Sequence, residues 1–203
     1  MDRLYLFSTA LLLSTALLVS AGLQAQLPVS REPHHKVIQV NPYFRLLEGK
    51  IPINDTTAAH IHAANSVVIF LSHSTFGIQI IGDKPVITTV DPGDIKYVAY
   101  GDKPVNHIVW NQTPDLFHFY VVELARHPPT SDSCPILAQP GITLQWKQPA
   151  VKAYYLDING PLQLHPAPCA RLVIAITGAY HFYPPNSPVD LNGAGRSILL
   201  EMP

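Results

Sequence analysis

Two histidines stand two residues apart, His60 and His62, at the head of the run HIHAANSVVIFL. A strand has a side-chain period of two, so both imidazoles leave one face and form a two-toothed ligand. A third, His107, lies in DPGDIKYVAYGDKPVNHIVWN, where a Pro-Gly-Asp turn feeds an apolar strand, a second Gly turn and then His-x-x-x-Asn. Two strands presenting these three histidines can close on one divalent metal, with Fe, Zn, Ni, Cu and Mn not distinguished. Three neutral imidazoles leave coordination positions for water or substrate. The alternative is a pocket whose histidines bond to one another, to backbone or to water. His73 and His118 are further candidates for a fourth ligand. His34 and His35 are adjacent, so on a strand they point to opposite sides and cannot chelate together; they read as an exposed polar pair ahead of the first strand.

The arrangement resembles the cupin family, whose first motif sets His-x-His ahead of a Glu and a strand and whose second sets Pro-Gly-Asp ahead of a His and an Asn. His60 and His62 match the paired histidines, Pro92, Gly93 and Asp94 the turn, and His107 and Asn111 the closing pair. The match runs from about Glu32 to Arg126. It departs at the family's Glu, for which this chain has Ser66 or Val67. Either three histidines hold the metal, as in the thiol dioxygenase branch of cupins, or the site is degenerate. The opening EPHHK with NPYFRLLEG also looks like the start of a group of exported bacterial cupins. The resemblance implies an all-β fold, a cupin-type jelly-roll β-barrel. The expected pocket residues are Ser66, Phe70, Tyr97, Trp110 and Asn111, with Phe117 and Phe119 nearby. Asn111 reads as a turn residue rather than a ligand, because amide oxygens suit these metals poorly. Lacking the carboxylate, a bound ion stays more Lewis acidic and attracts anions.

The elements that must position these residues are strands. Turn signals recur every 8 to 12 residues between Val37 and Ala125, bounding about nine strands, the pattern of a sandwich or barrel. Charged residues make up only 13% of the chain and there are 20 prolines, a composition of strands with rigid turns. Thirteen basic and 14 acidic residues leave no cationic surface of the kind that binds nucleic acid.

Residues 1–25 read as a secretory signal, with Arg3 ahead of an apolar run and small residues at its exit, the competing reading being an uncleaved anchor. The expected location is secreted or periplasmic, with no stable membrane span once the signal is removed. Cys134 and Cys169 either form one disulfide in such a compartment or are unrelated thiols.

The cupin-like region spans 32–126 and a Pro- and Ser-rich linker 127–141. Residues 142–203 read as a reduced second cupin-like repeat, making the chain a degenerate bicupin. Aligning His165 with His60 brings RLVIAITG under SVVIFLSH, while Ala167 stands where His62 would be. The functional expectation is a secreted metalloprotein acting on a small molecule, an enzyme or not. An iron site would activate O₂; other ions would polarise water or a carbonyl. The alternatives are a non-catalytic module that binds a ligand or partner, and an assembly role with barrels joined as a homodimer.

Overall fold

The computed structural model describes residues 26–125, 134–192 and 194–203; the expected signal segment and the linker up to residue 133 lie outside them. The first half runs β1 (Leu27–Pro28), a 3-10 turn (Val29–Arg31), β2 (His35–Val40), β3 (Phe44–Ile51), β4 (His60–His62), β5 (Ser66–Phe70), β6 (Ser74–Ile80), β7 (Val86–Val90), β8 (Ile95–Val98), β9 (Val105–Asn111) and β10 (Phe117–Leu124). The second runs β11 (Ile142–Gln148), β12 (Val151–Asn159), β13 (Leu162–Leu164), β14 (Ala170–Ala175), β15 (Tyr180–Tyr183), β16 (Val189–Leu191) and β17 (Ala194–Met202). No helix among the described residues is long and apolar enough to cross a membrane.

The first half makes two five-stranded sheets, ordered β1-β4-β9-β6-β7 and β2-β3-β10-β5-β8. Period two explains how they stack. On β10, Phe117, Phe119 and Val121 face one core with Leu47, Ile51 and Phe76, while Tyr120, Val122 and Leu124 face another. A strand buried on both faces must be apolar throughout, which is how FHFYVVEL reads. The second core is shared with the sheet β11-β12-β17-β14-β15, through Ala153, Leu172, Ile198 and Leu200. The far face of that sheet packs on the small pair β13-β16 through Tyr154, Leu164, Val189 and Leu199.

A closed barrel is expected from the sequence, and the structure corrects this. Among the described residues no strand of one five-stranded sheet pairs with a strand of the other, so the jelly roll is a pair of facing sheets. The edge strands β1 and β8 hold only two and four residues, too short to carry a ladder round the corner.

The order β2-β3-β10-β5-β8 is matched position by position by β11-β12-β17-β14-β15, and the neighbours β4-β9 by β13-β16. Register agrees with this correspondence. Glu123 lies opposite Arg45 and Ser66, and Glu201 lies opposite Lys152 and Arg171. The β6–β7 hairpin has no counterpart in the second half among the described residues.

Candidate metal centre

β4 pairs antiparallel with β9 so that His60 lies directly opposite His107. With His62 two residues on, three imidazoles project from one sheet into the core. Ring centroids are 4.6 Å apart for His60 and His107, 5.1 Å for His60 and His62, and 5.0 Å for His62 and His107. The fourth ring comes from the facing sheet. His35, the first residue of β2, lies opposite Gly49 on β3 and brings its ring to 4.8 Å from His60 and 6.0 Å from His62. All four are buried, between 0% and 5% exposed.

His35 and His60 are held so that one ring nitrogen of each stays bare. His60 Nδ1 is 2.8 Å from the Ala58 carbonyl, which can only accept, so Nδ1 carries the proton and Nε2 the lone pair. His35 Nδ1 is 2.7 Å from a carboxylate oxygen of Glu32 and donates to it, leaving Nε2 free in the same way. Carbonyls and carboxylates fix metal-binding imidazoles in this manner.

Glu32 is a hub just after the 3-10 turn. Its carboxylate accepts from the backbone N–H of His34 at 2.8 Å, from His34 Nδ1 at 2.9 Å, from His35 Nδ1 at 2.7 Å and from the Ala58 N–H at 3.1 Å. Burial pushes this carboxyl up, but the hydrogen bonds from His35 and His34 outweigh burial and hold it down at about 2. His34 also reaches Asp55 through Nε2, at 3.1 Å. With a carboxylate at each nitrogen it is a double donor, an imidazolium. Burial lowers its pKa, yet the bonds to Glu32 and Asp55 raise it overall.

The three motif histidines behave oppositely. Burial pulls His60 down to about 4; burial, then the neighbouring rings, takes His62 to about 2 and His107 to about 3. The site is therefore a cluster of neutral donors at ordinary pH. Nε2 of His60 and Nε2 of His107 lie 3.1 Å apart. Two imidazole nitrogens each about 2.1 Å from one ion sit roughly 3.0 to 3.4 Å from each other. Nδ1 of His62 and Nδ1 of His107 are buried with no partner among the described residues. A donor set of neutral imidazoles, two with second nitrogens already bonded, fits a borderline divalent ion. His35, His60 and His62 each offer a ligand atom, all within 4.8 Å of one another.

No protein-family model matches the sequence, and no curated protein does. Solved structures do match. The bacterial pirin YhhW from Escherichia coli, in complex with nickel(II), superposes with a TM-score of 0.55 at 13% identity, covering 83% of this chain and 90% of its own. AerE from Microcystis aeruginosa gives 0.54 at 14% identity, covering 85% of this chain and 98% of its own. A cupin domain from Bordetella pertussis covers 49% of this chain and 95% of its own, at 18% identity and a TM-score of 0.41. The chain has the cupin fold.

Within this cupin fold the structure sorts the other predicted site residues by parity. Phe70, Phe117 and Phe119 line a cavity of about 110 Å³ beside His35, His62 and His107. Trp110 is displaced to the outer face of β9, because His107, Val109 and Asn111 face inward; its ring covers Gly77, where an added Cβ would meet it at 2.0 Å. Tyr97 likewise faces away, packing on Trp146 of the second half at 5.9 Å. Ser66 is buried and turns its hydroxyl back to the Ala64 carbonyl, so it is neither ligand nor lining. Asn111 is the turn residue expected: its amide donates to Ile51, Pro52 and Asp115 carbonyls and its oxygen accepts from the Thr113 N–H.

Neither candidate fourth ligand reaches the cluster. His73 is an exposed rim residue bonded to Asp91 at 2.6 Å, and His118 sits on the opposite face of β10 with Glu48 at 3.0 Å. His35 takes that place instead. The reading of His34 and His35 as an exposed pair is thus corrected: their side chains do part, but His35 is the one that parts inward. The signal that could have found it is the same period of two, applied to His35 against the facing sheet.

Proposed function

We propose that this protein is a metal-binding cupin whose divalent ion is held by His60, His62 and His107, with His35 from the facing sheet completing the set. Such a site acts on a small molecule in the adjoining cavity. The observation that carries this reading is the approach of His60 and His107 to 3.1 Å between Nε2 atoms, with the second nitrogen of His60 already bonded to Ala58. The nickel bound by the pirin YhhW supports it from a similar fold. A bound ion would supply Lewis acidity; the chain's part is to hold four imidazole donors and exclude bulk water. The test is elemental analysis of purified protein. One ion per chain, lost in the His60→Ala/His62→Ala double variant while the fold is retained, is expected; wild-type protein that takes up none of Zn, Ni, Co, Fe, Cu or Mn refutes it.

A second reading is a non-catalytic binding module, favoured by Ser66 standing where the cupin Glu is expected, its hydroxyl bonded to the Ala64 carbonyl. It predicts ligand binding that survives metal stripping. We also propose that the chain is exported and that its second half is a reduced repeat. Support for export is the disulfide between Cys134 and Cys169, of a kind that persists in oxidising compartments. The repeat is supported by the matching strand orders.

A further inference from the structure

Two features around the histidine cluster remain without a role in ion binding: an aromatic wall and a cationic approach. The cavity beside His35, His62 and His107 is walled by Phe70, Phe76 and Phe117. The Phe76 and Phe117 rings lie 4.5 Å apart at 18° and Phe70 stacks on Phe117 at 6.1 Å and 12°. This is an apolar pocket of about 110 Å³, suited to one ring or a short branched chain rather than a sugar or a nucleotide.

The way in has the opposite character. A wider depression of about 500 Å³ adjoins the cavity and carries Lys84, Lys96 and Lys103 against the single carboxylate Asp83. The chain as a whole has a net charge of −1, so this concentration of ammonium groups is local. Lys96, Tyr100 and His107 line both spaces and mark the junction. Three amines around one mouth raise the local concentration of anions and speed their entry.

Tyr100 stands where an arriving headgroup would meet the ion. Its ring stacks on His62 at 5.0 Å and 29°, and the residue lines both spaces. A phenol carries an O–H and can donate it to an anion. Four imidazoles bring no negative charge to a divalent ion in an apolar cavity, and Glu32 lies behind the His35 ring, committed to His34 and His35. An anion supplies the missing compensation, and a phenol donor beside the ion strengthens its hold.

Resting on the metal reading above, we propose that the site's ligand is a small hydrophobic monoanion of the carboxylate type. Its headgroup meets the ion and the Tyr100 hydroxyl, its apolar body lies against Phe76 and Phe117, and Lys84, Lys96 and Lys103 draw it in.

The test uses full-length protein loaded with Co²⁺, whose visible absorption changes when an inner ligand is exchanged. Cobalt content is measured first. Benzoate, acetate and benzamide are then titrated separately at two salt concentrations. Benzoate is expected to bind about tenfold or more tightly than acetate, because only benzoate buries a ring, and benzamide to leave the spectrum unchanged. Tyr100→Phe, which keeps the ring on His62, is expected to retain one cobalt per chain and weaken benzoate several-fold. Lys96→Glu with Lys103→Glu, both at exposed positions, is expected to slow benzoate association and flatten its salt dependence. Equal affinity for benzoate and acetate, or benzamide binding as tightly as benzoate, overturns the proposal while leaving the metal reading intact. Unaltered benzoate binding in both the tyrosine and the lysine variants overturns it too. Failure to load cobalt or any other divalent ion defeats the metal reading and the proposal together.

Discussion

At the scale of single residues the decisive group is Glu32, because it fixes the ring of His35, the donor that comes from the facing sheet. The cupin carboxylate is absent at Ser66 and Val67, and Glu32 places one a shell further out, behind His35. A carboxylate accepting an imidazole proton orients the ring and raises its basicity, and loss of such a partner typically costs 10- to 100-fold in metal affinity. Glu32→Gln is expected to lower zinc or nickel affinity by about that factor, measured by competition with a chromophoric chelator. His35→Ala should lower it at least as far; a His35→Ala variant with undiminished affinity would show that the fourth ring is only packing. The imidazoles also set an acid limit. His60, His62 and His107 are held at about 4, 2 and 3, while the unfolded chain takes up their protons near 6.5. The unfolded state therefore binds more protons between these values, and stability falls as pH drops below about 6.5, by roughly 1.4 kcal/mol per pH unit for each histidine that resists protonation. His34, whose pKa is raised, works the other way, contributing stability at low pH that is lost as pH rises through its folded value. One such group opposes three. Metal-free protein is expected to show a melting temperature that declines steadily from pH 7 to pH 5, and a flat profile would contradict the buried neutral cluster.

Elements explain which parts of this were legible beforehand. His60, His62 and His107 could be read because a single strand pair, β4 with β9, carries them, and the spacing of two on one strand survives in any strand conformation. His35 belongs to a strand of the other sheet, and no local pattern announces which residues face each other across a core. Adjacency separated His34 from His35 correctly, yet it could not say which of the two turns inward. Trp110 and Tyr97, expected in the pocket, fall outside it for a simpler reason: each lies one residue from an inward-facing neighbour, and period two sends it outward, as it does His118, only a possible further ligand. The nine strands from β2 to β10 follow from turn chemistry that is local, such as Gly82 at φ 98° beside Asp83. Ladder closure was not local and was wrongly expected. The strand pair β3–β10 also holds a close contact that supports the site. Gly49 lies opposite Phe119, and a Cβ there would meet the Phe119 ring at 2.3 Å. The same ring packs edge-on against His35 at 5.5 Å. Gly49→Ala must push Phe119 off this position, at a cost of about 1 to 3 kcal/mol for an overpacked core. Chemical denaturation should register that loss, and metal affinity should fall with it because His35 loses its backing; a stable Gly49→Ala variant with unchanged affinity would separate the two.

At the scale of the molecule, the middle sheet serves two cores at once. Phe119 and Val121 face the histidine site, and Tyr120 and Val122 face the second half, so packing by the second half braces the wall of a site it does not touch. The second half carries its own buried charges instead of histidines: Arg171 donates to Glu201 at 2.9 Å and to the His165 carbonyl at 2.7 Å, and Lys152 donates to the Cys134 carbonyl. Cys134 and Cys169, buried with Ala167, are bonded to each other across a separation of 35 residues with Cα atoms 5.9 Å apart. This bond ties the segment entering the second half to the approach of β14. Closing a loop of that length in the unfolded chain stabilises the fold by about 3 to 4 kcal/mol on the chain-entropy account. None of its neighbours is a histidine of the site, so stability and ion binding should separate. The Cys134→Ser/Cys169→Ser variant is expected to unfold at lower denaturant concentration by about that free energy while binding one ion per chain with wild-type affinity. Leu172→Ala, which opens the shared core itself, should cost about 2 to 5 kcal/mol and, unlike the disulfide variant, loosen the middle sheet. Equal effects of the two on ion affinity would mean that the second half does not brace the site through that sheet.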